Sequence, residues 1–190
     1  MLNSLLGVFA FAPALIDNPI TCPISANVPF ADSPIVDYNG ARFTLCGPNC
    51  VSKFQTGTAK VLSTVIRSGR TVGEGLFDPV SKFRADNSRN FVSSSDYQGI
   101  RYYFDSKENK KIFDENPRLY AVLPSRECLV DPVTGNALGN YDRAIAYADY
   151  SGVRYYFGEV SSQSTFAGNP AQYAASMTQY LQSPRSIKMR

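Results

Sequence analysis

Residues 38–54 read Tyr38-Asn39-Gly40-Ala41-Arg42-Phe43-Thr44-Leu45-Cys46-Gly47-Pro48-Asn49-Cys50-Val51-Ser52-Lys53-Phe54. Asn39-Gly40 favours a tight two-residue hairpin turn, because both residues tolerate positive φ. Arg42 to Leu45 alternates faces as a strand does, and Phe54 falls on the inner face of a short helix that follows. Outward from this stretch the pattern returns twice. Tyr97-Gln98-Gly99-Ile100-Arg101-Tyr102-Tyr103-Phe104 is followed by Phe113, and Tyr150-Ser151-Gly152-Val153-Arg154-Tyr155-Tyr156-Phe157 by Phe166. The Tyr-to-Phe spacing is 16 residues each time.

Flanking elements repeat as well. Asp78-Pro79-Val80-Ser81 and Asp131-Pro132-Val133-Thr134 each lie 19 residues before their Tyr, and Cys22-Pro23-Ile24-Ser25 lies 16 before Tyr38. Downstream, Asn116-Pro117-x-x-Tyr120 returns as Asn169-Pro170-x-x-Tyr173, where Pro suits the first turn of a helix. The expected fold is α+β: three small tandem modules, each a β-hairpin followed by short helices. Residues 20–62, 76–123 and 126–176 are the modules. Ala59 to Arg67 is expected as a linking helix. Residues 63–75 read as a linker, with glycine-rich Gly69–Gly75 as a flexible joint. Residues 177–190 form a basic tail with Arg185, Lys188 and Arg190, read as a frayed end.

Composition narrows the function classes. Of the 190 residues 44% are hydrophobic and 18% charged, which is the balance of a folded chain. Net charge is +3 with no aligned basic stripe, so nucleic acid is not an expected partner. There is no His, which removes the commonest general base and metal ligand together. Neither a nucleophile elbow nor a phosphate loop nor a dinucleotide turn is present, and the chain reads as non-enzymatic. Met1 to Ile16 is almost wholly apolar, too short for a comfortable membrane span but of secretory length. Ala10-Phe11-Ala12 has the form of a cleavage site, whereas the absence of a preceding cation and the presence of Pro13 oppose it. Residues 1–19 are thus read as a signal peptide of an exported protein, or as an anchor to a membrane or a protein partner.

The four cysteines are Cys22, Cys46, Cys50 and Cys128. Cys46 and Cys50 form a C-x3-C pair where the second strand turns into the helix, and Cys22 lies in the loop before the hairpin. If that loop folds back, three thiolates face one point. The same residues also admit a disulfide or plain packing. Asp78 and Asp131 stand at the Cys22 position, Asp105 and Gly158 at the Cys46 position, and Asn109 and Ser162 at the Cys50 position. No thiolate site forms there; Asp78, Asp105 and Asn109 admit an oxygen site, and capping or turn roles are the preferred reading. Cys128 lies outside the frame and is read as buried.

Cys22-Pro23-Ile24-Ser25, then Tyr38-x-Gly40-x-x-Phe43-x-Leu45-Cys46-x3-Cys50-x2-Lys53-Phe54, resembles the YHS/TRASH family of small metal-associated modules. The other two copies match its hairpin and Asn-Pro end but not its cysteines, and the resemblance extends from Ile20 to Ala174. It implies a treble-clef-like hairpin-and-helix fold, with Cu(I) or Zn(II) held by Cys22, Cys46 and Cys50. Ala26 stands where the family usually has Gly. The expected function is metal handling or metal-stabilised structure, and the alternative is a scaffold subunit of a larger, membrane-associated assembly without a functional metal.

Overall fold

A computed structural model describes residues 18–87 and 91–189. The expectation for the apolar N-terminus falls on residues 1–17, outside the described residues. Among the described residues no helix is long and apolar enough to cross a membrane.

The fold is α+β, and its recurring element is a hairpin followed by a helix. β1 (Ile35–Tyr38) and β2 (Ala41–Thr44) lead into α1 (Pro48–Thr56) and then α2 (Thr58–Ser68). After β3 (Gly73–Gly75), β4 (Ser93–Tyr97) and β5 (Ile100–Phe104) lead into α3 (Lys107–Glu115) and α4 (Pro117–Tyr120). After β6 (Arg126–Cys128), β7 (Ala146–Tyr150) and β8 (Val153–Phe157) lead into α5 (Val160–Gly168) and α6 (Pro170–Ser176). We call these the first, second and third units.

Each hairpin closes through two positive-φ residues, Asn39-Gly40, Gln98-Gly99 and Ser151-Gly152, as the sequence predicts. An arginine directly opposite an aspartate then locks each register: Arg42 holds Asp37, Arg101 holds Asp96 and Arg154 holds Asp149, each through two hydrogen bonds of 2.7–2.9 Å. Behind each sheet the helix phenylalanine meets the same strand position. Ring centroids are 4.9 Å apart for Phe43–Phe54, 5.1 Å for Tyr102–Phe113 and 5.1 Å for Tyr155–Phe166. With so little interior per unit, packed aromatic rings bury a large area for each residue spent.

Three expectations are corrected. Gly69–Gly75 is no flexible joint: Gly73–Gly75 is β3, which pairs antiparallel with β2 and parallel with β5. The glycine there answers a steric demand, since a Cβ on Gly73 would lie 2.6 Å from Phe43 Cε1 and 2.9 Å from Ile100 Cδ1. Nor does the tail fray. Ile187–Lys188 forms β9 on the outer edge of β1, and Thr58 Oγ1 and Ser186 Oγ lie 2.7 Å apart. Finally, the three tandem modules do not stand apart on linkers. The first two share one sheet, ordered β4-β5-β3-β2-β1-β9, and the third has its own sheet, β6-β8-β7. A buried cluster of Leu76, Phe77, Leu129, Tyr141, Tyr147 and Tyr156 joins the start of the second unit to the third.

Candidate metal centre

Each unit opens with a tight loop, and the three loops share one hydrogen-bond plan. The loop-starting residue donates its backbone N–H to the carbonyl five residues on, and its own carbonyl accepts from the N–H four residues on. In the first unit Cys22 N–H donates to Asn27 O at 2.8 Å and Ala26 N–H to Cys22 O at 3.0 Å. Asp78 with Phe83 and Lys82, at 2.8 and 2.7 Å, and Asp131 with Asn136 and Gly135, at 2.9 and 2.8 Å, repeat the pattern. The fifth loop residue takes positive φ in all three: Ala26 at 65°, Lys82 at 66° and Gly135 at 76°. That conformation explains the family's glycine at this position and makes Ala26 and Lys82 strained substitutes.

The loop aims N–H groups at the first side chain. Asp78 Oδ1 accepts from Val80 and Ser81 N–H at 2.8 and 3.2 Å, and Oδ2 accepts from Asp105 N–H at 3.1 Å. Asp131 Oδ1 accepts from Val133 and Thr134 at 2.9 and 3.2 Å, and Oδ2 from Gly158 at 3.0 Å. The Cys22 sulfur occupies the same nest. Burial alone would push its thiol up. Hydrogen bonds from the Ser25 hydroxyl and from the backbone of Ser25, Cys46 and Ile24 outweigh burial and bring it down to about 7.

The two further cysteines converge on this point from the start of α1. Ser25 Oγ donates to Cys46 Sγ at 3.2 Å. The Cys50 thiol is raised first by burial, then by its side-chain hydrogen bond with Cys22 and by the charges of Cys22 and Cys46. All four cysteines are free thiols, so the disulfide reading does not hold in this structure. Cys22 is fully buried, while Cys46 and Cys50 are half-buried toward the surface. Cys128 lies buried in the separate core of the third unit, its Sγ 3.3 Å from Val130 O. Among the described residues, no three or more Cys, Asp or Glu side chains stand gathered as a ready-made ion site. The donor set fits a soft ion by its chemistry, and closing it requires the half-buried thiols Cys46 and Cys50 to draw in on Cys22.

The second unit holds polar groups at all three cysteine positions, and they satisfy one another. Asn109 Nδ2 donates to Asp78 Oδ2 and to Asp105 Oδ1, each at 2.8 Å, and Ser81 Oγ donates to Asp105 Oδ2 at 2.9 Å. Asp78 has the turn role the sequence suggested, while the cap of α3 is Ser106 and not one of these three residues. The side-chain bonds also reproduce the first unit atom for atom: Ser81 to Asp105 matches Ser25 to Cys46, and Asn109 to Asp78 matches Cys50 to Cys22. Two groups were missed by the sequence reading. Ser25 supports two of the thiols, and its signal was the hydroxyl residue at the same offset in every unit, as Ser25, Ser81 and Thr134. The Asp–Arg pairs were signalled by the aspartate before each hairpin Tyr.

The family model of the YHS domain matches residues 78–123, from Asp78 of the second loop through α4. No curated protein and no solved structure matches the chain. The match falls on the unit that has oxygen and amide groups in place of the thiols, so it rests on the loop, hairpin and helices. Residues 78–123 are thus similar to the YHS domain, a domain generally associated with the handling of metal, copper in particular.

Proposed function

We propose that the first unit is a YHS-type thiolate centre in which Cys22, Cys46 and Cys50 hold one metal ion, in a non-enzymatic protein of metal handling or metal-stabilised structure. The observation that carries this reading is the nest around Cys22. In its sister units the same backbone N–H groups grip a carboxylate, so the nest is built for a negative charge, and a thiolate is the metal-binding form of cysteine. Between the two candidate ions the donor count favours Cu(I). Three thiolates complete a Cu(I) site, whereas Zn(II) takes a fourth ligand, and Cys128 is occupied in another core. An anaerobic titration with Cu(I) against a competing chelator tests this. One equivalent should bind tightly and be lost in Cys22→Ser; binding unchanged by that substitution would remove the reading.

One observation favours the alternative role as a scaffold subunit of a larger assembly. Two of the three units close the cysteine positions with groups that need no ion. Under that reading the apolar residues 1–16 bind a membrane or a protein partner, and the triple Cys→Ser protein still assembles. Export is proposed on the same residues, and intact mass of the purified protein reads whether residues 1–12 are removed.

A further inference from the structure

After its cysteine loop the first unit turns over residues 28–33 and presents two apolar side chains to solvent, Val28 at 61% and Phe30 at 78% exposure. The turn is built and not slack. Phe30 N–H donates to Ser33 Oγ at 3.0 Å, Ser33 N–H donates back to Phe30 O at 3.1 Å, and Pro29 stiffens the backbone between the two apolar residues. In the sister units the stretches after the loop turn inward. Phe83 packs against the core of the third unit, and Leu138 is buried in the cluster of Tyr141 and Tyr156. Val28 and Phe30 stand in water instead.

The chain outside the described residues ends beside this turn. Val28, Pro29 and Phe30 share one shallow open depression with Ile20. Its acidic member, Glu74, is already bonded, accepting from Asn87 Nδ2 at 2.7 Å and from the Tyr103 hydroxyl. Ile20 belongs to a stem fixed to the body: Arg101 Nη2 donates to Asn18 O at 2.8 Å, and Thr21 N–H donates to Thr71 O at 3.0 Å. Residues 1–16, which precede that stem, include no Asp, Glu, Lys or Arg. Wherever this apolar run goes, it joins the body next to the depression that Phe30 lines. The run is shorter than a bilayer span. A single weak anchor holds a protein at a lipid interface only marginally, so stable seating takes a second contact.

We propose that Val28 and Phe30 are that second contact: a membrane-seating face whose two side chains enter the headgroup boundary of a neutral lipid surface beside the apolar run. The proposal rests on the second reading above, in which residues 1–16 bind a membrane. Phe and Val gain by leaving water for the acyl boundary. Phe30 N–H, Phe30 O and Ser33 Oγ are paired within the turn, so entry strands none of these three. Acidic Asp32 and Glu74 flank the face and Arg70 lies at the stem, hydrogen-bonded to Thr21 and Cys22 O. No net positive field therefore draws an anionic surface, and the attraction is apolar. Cys46 Sγ lies 4.0 Å from Asn27 O, one residue before Val28, which places the thiol loop directly behind the seat.

Fluorescence and flotation of the full 190-residue chain, its intact mass checked, test this. The chain contains no Trp, so Phe30→Trp puts one fluorophore on the face. With phosphatidylcholine vesicles its emission should shift to the blue and be quenched by lipid brominated on the acyl chains. Val160→Trp, at a position 55% exposed in the third unit, should show neither effect. Val28→Ser combined with Phe30→Ser should weaken vesicle co-flotation by about fivefold or more and leave the melting temperature unchanged. Flotation with the Phe30→Trp emission unshifted would overturn the seat and leave the apolar run as an anchor. Absence of flotation would overturn the seat and the anchor together. An equal shift in Val160→Trp, or a blue shift without vesicles accompanied by a dimer in light scattering, would also overturn it, the latter by giving the face to a second copy of the chain.

Discussion

At the scale of single residues, the buried carboxylates and the strained loop positions carry most of the consequences. Asp131 is 1% exposed and accepts from Val133, Thr134 and Gly158. Asp131→Ala leaves three N–H groups unpaired and should cost about 2–4 kcal/mol in urea denaturation. Ala26 sits at φ 65°, where its third-unit counterpart is Gly135. Ala26→Gly should therefore stabilise by about 1 kcal/mol, and Gly135→Ala should destabilise by a similar amount. Glu127 is fully buried, accepting from the Tyr141 hydroxyl at 2.8 Å, and the Gln182 amide lies 3.5 Å away. Burial raises its carboxyl above the ordinary range; Tyr141, Gln182 and the charges of Arg154 and Arg185 only partly offset this. The folded chain thus keeps a proton that the unfolded chain has released. That contribution to stability is present in acid and lost as pH rises from the ordinary glutamate range through the raised value. Glu127→Gln removes the loss, so its stability relative to wild type should rise as pH climbs from the ordinary glutamate range through the raised value, by about 1.4 kcal/mol for each unit by which the pKa is raised. A flat difference across that range would contradict this account of Glu127.

At the scale of elements, the short central strand β3 decides how the first two units meet. Its glycines let Phe43 and Ile100 pack over the backbone, and Gly73→Val should destabilise by about 3 kcal/mol or prevent folding, read by thermal melting. The hairpins and helices were legible in the sequence because their signals are local: Asn39-Gly40 with its two positive-φ residues, the aromatic alternation after it, and Asn-Pro at the start of α4 and α6. β3 was not. Gly73, Glu74 and Gly75 carry no apolar alternation, and what makes them a strand is the space left by residues about 25–30 positions away. β9 was hidden for the same reason, since two residues pair with an edge about 150 positions earlier in the chain. The loop equivalence was half legible. Fixed offsets identified Cys22, Asp78 and Asp131 as counterparts, but only their matching N–H partners reveal that all three side chains accept hydrogen bonds in one nest. It follows that Asp78→Cys, Asp105→Cys and Asn109→Cys made together should give the second unit thiolate absorption on anaerobic Cd(II) titration, with one equivalent more than the parent chain takes up.

At the scale of the whole molecule, the units are parts of one body. A shared sheet, a returning tail and the cluster around Tyr141 and Tyr156 tie the units together. Asn39 N–H in the first hairpin donates to the Tyr141 hydroxyl at 3.0 Å, across 102 residues of chain. In the proposed reading, the two units that lack the three-cysteine set are the frame for the one that has it. The direct test of that division is elemental analysis of anaerobically purified protein, wild type against Cys22→Ser/Cys46→Ser/Cys50→Ser, with the melting curve of each confirming a folded chain. The account predicts about one soft metal ion per wild-type chain and none in the folded triple variant; equal metal content in the two would contradict it.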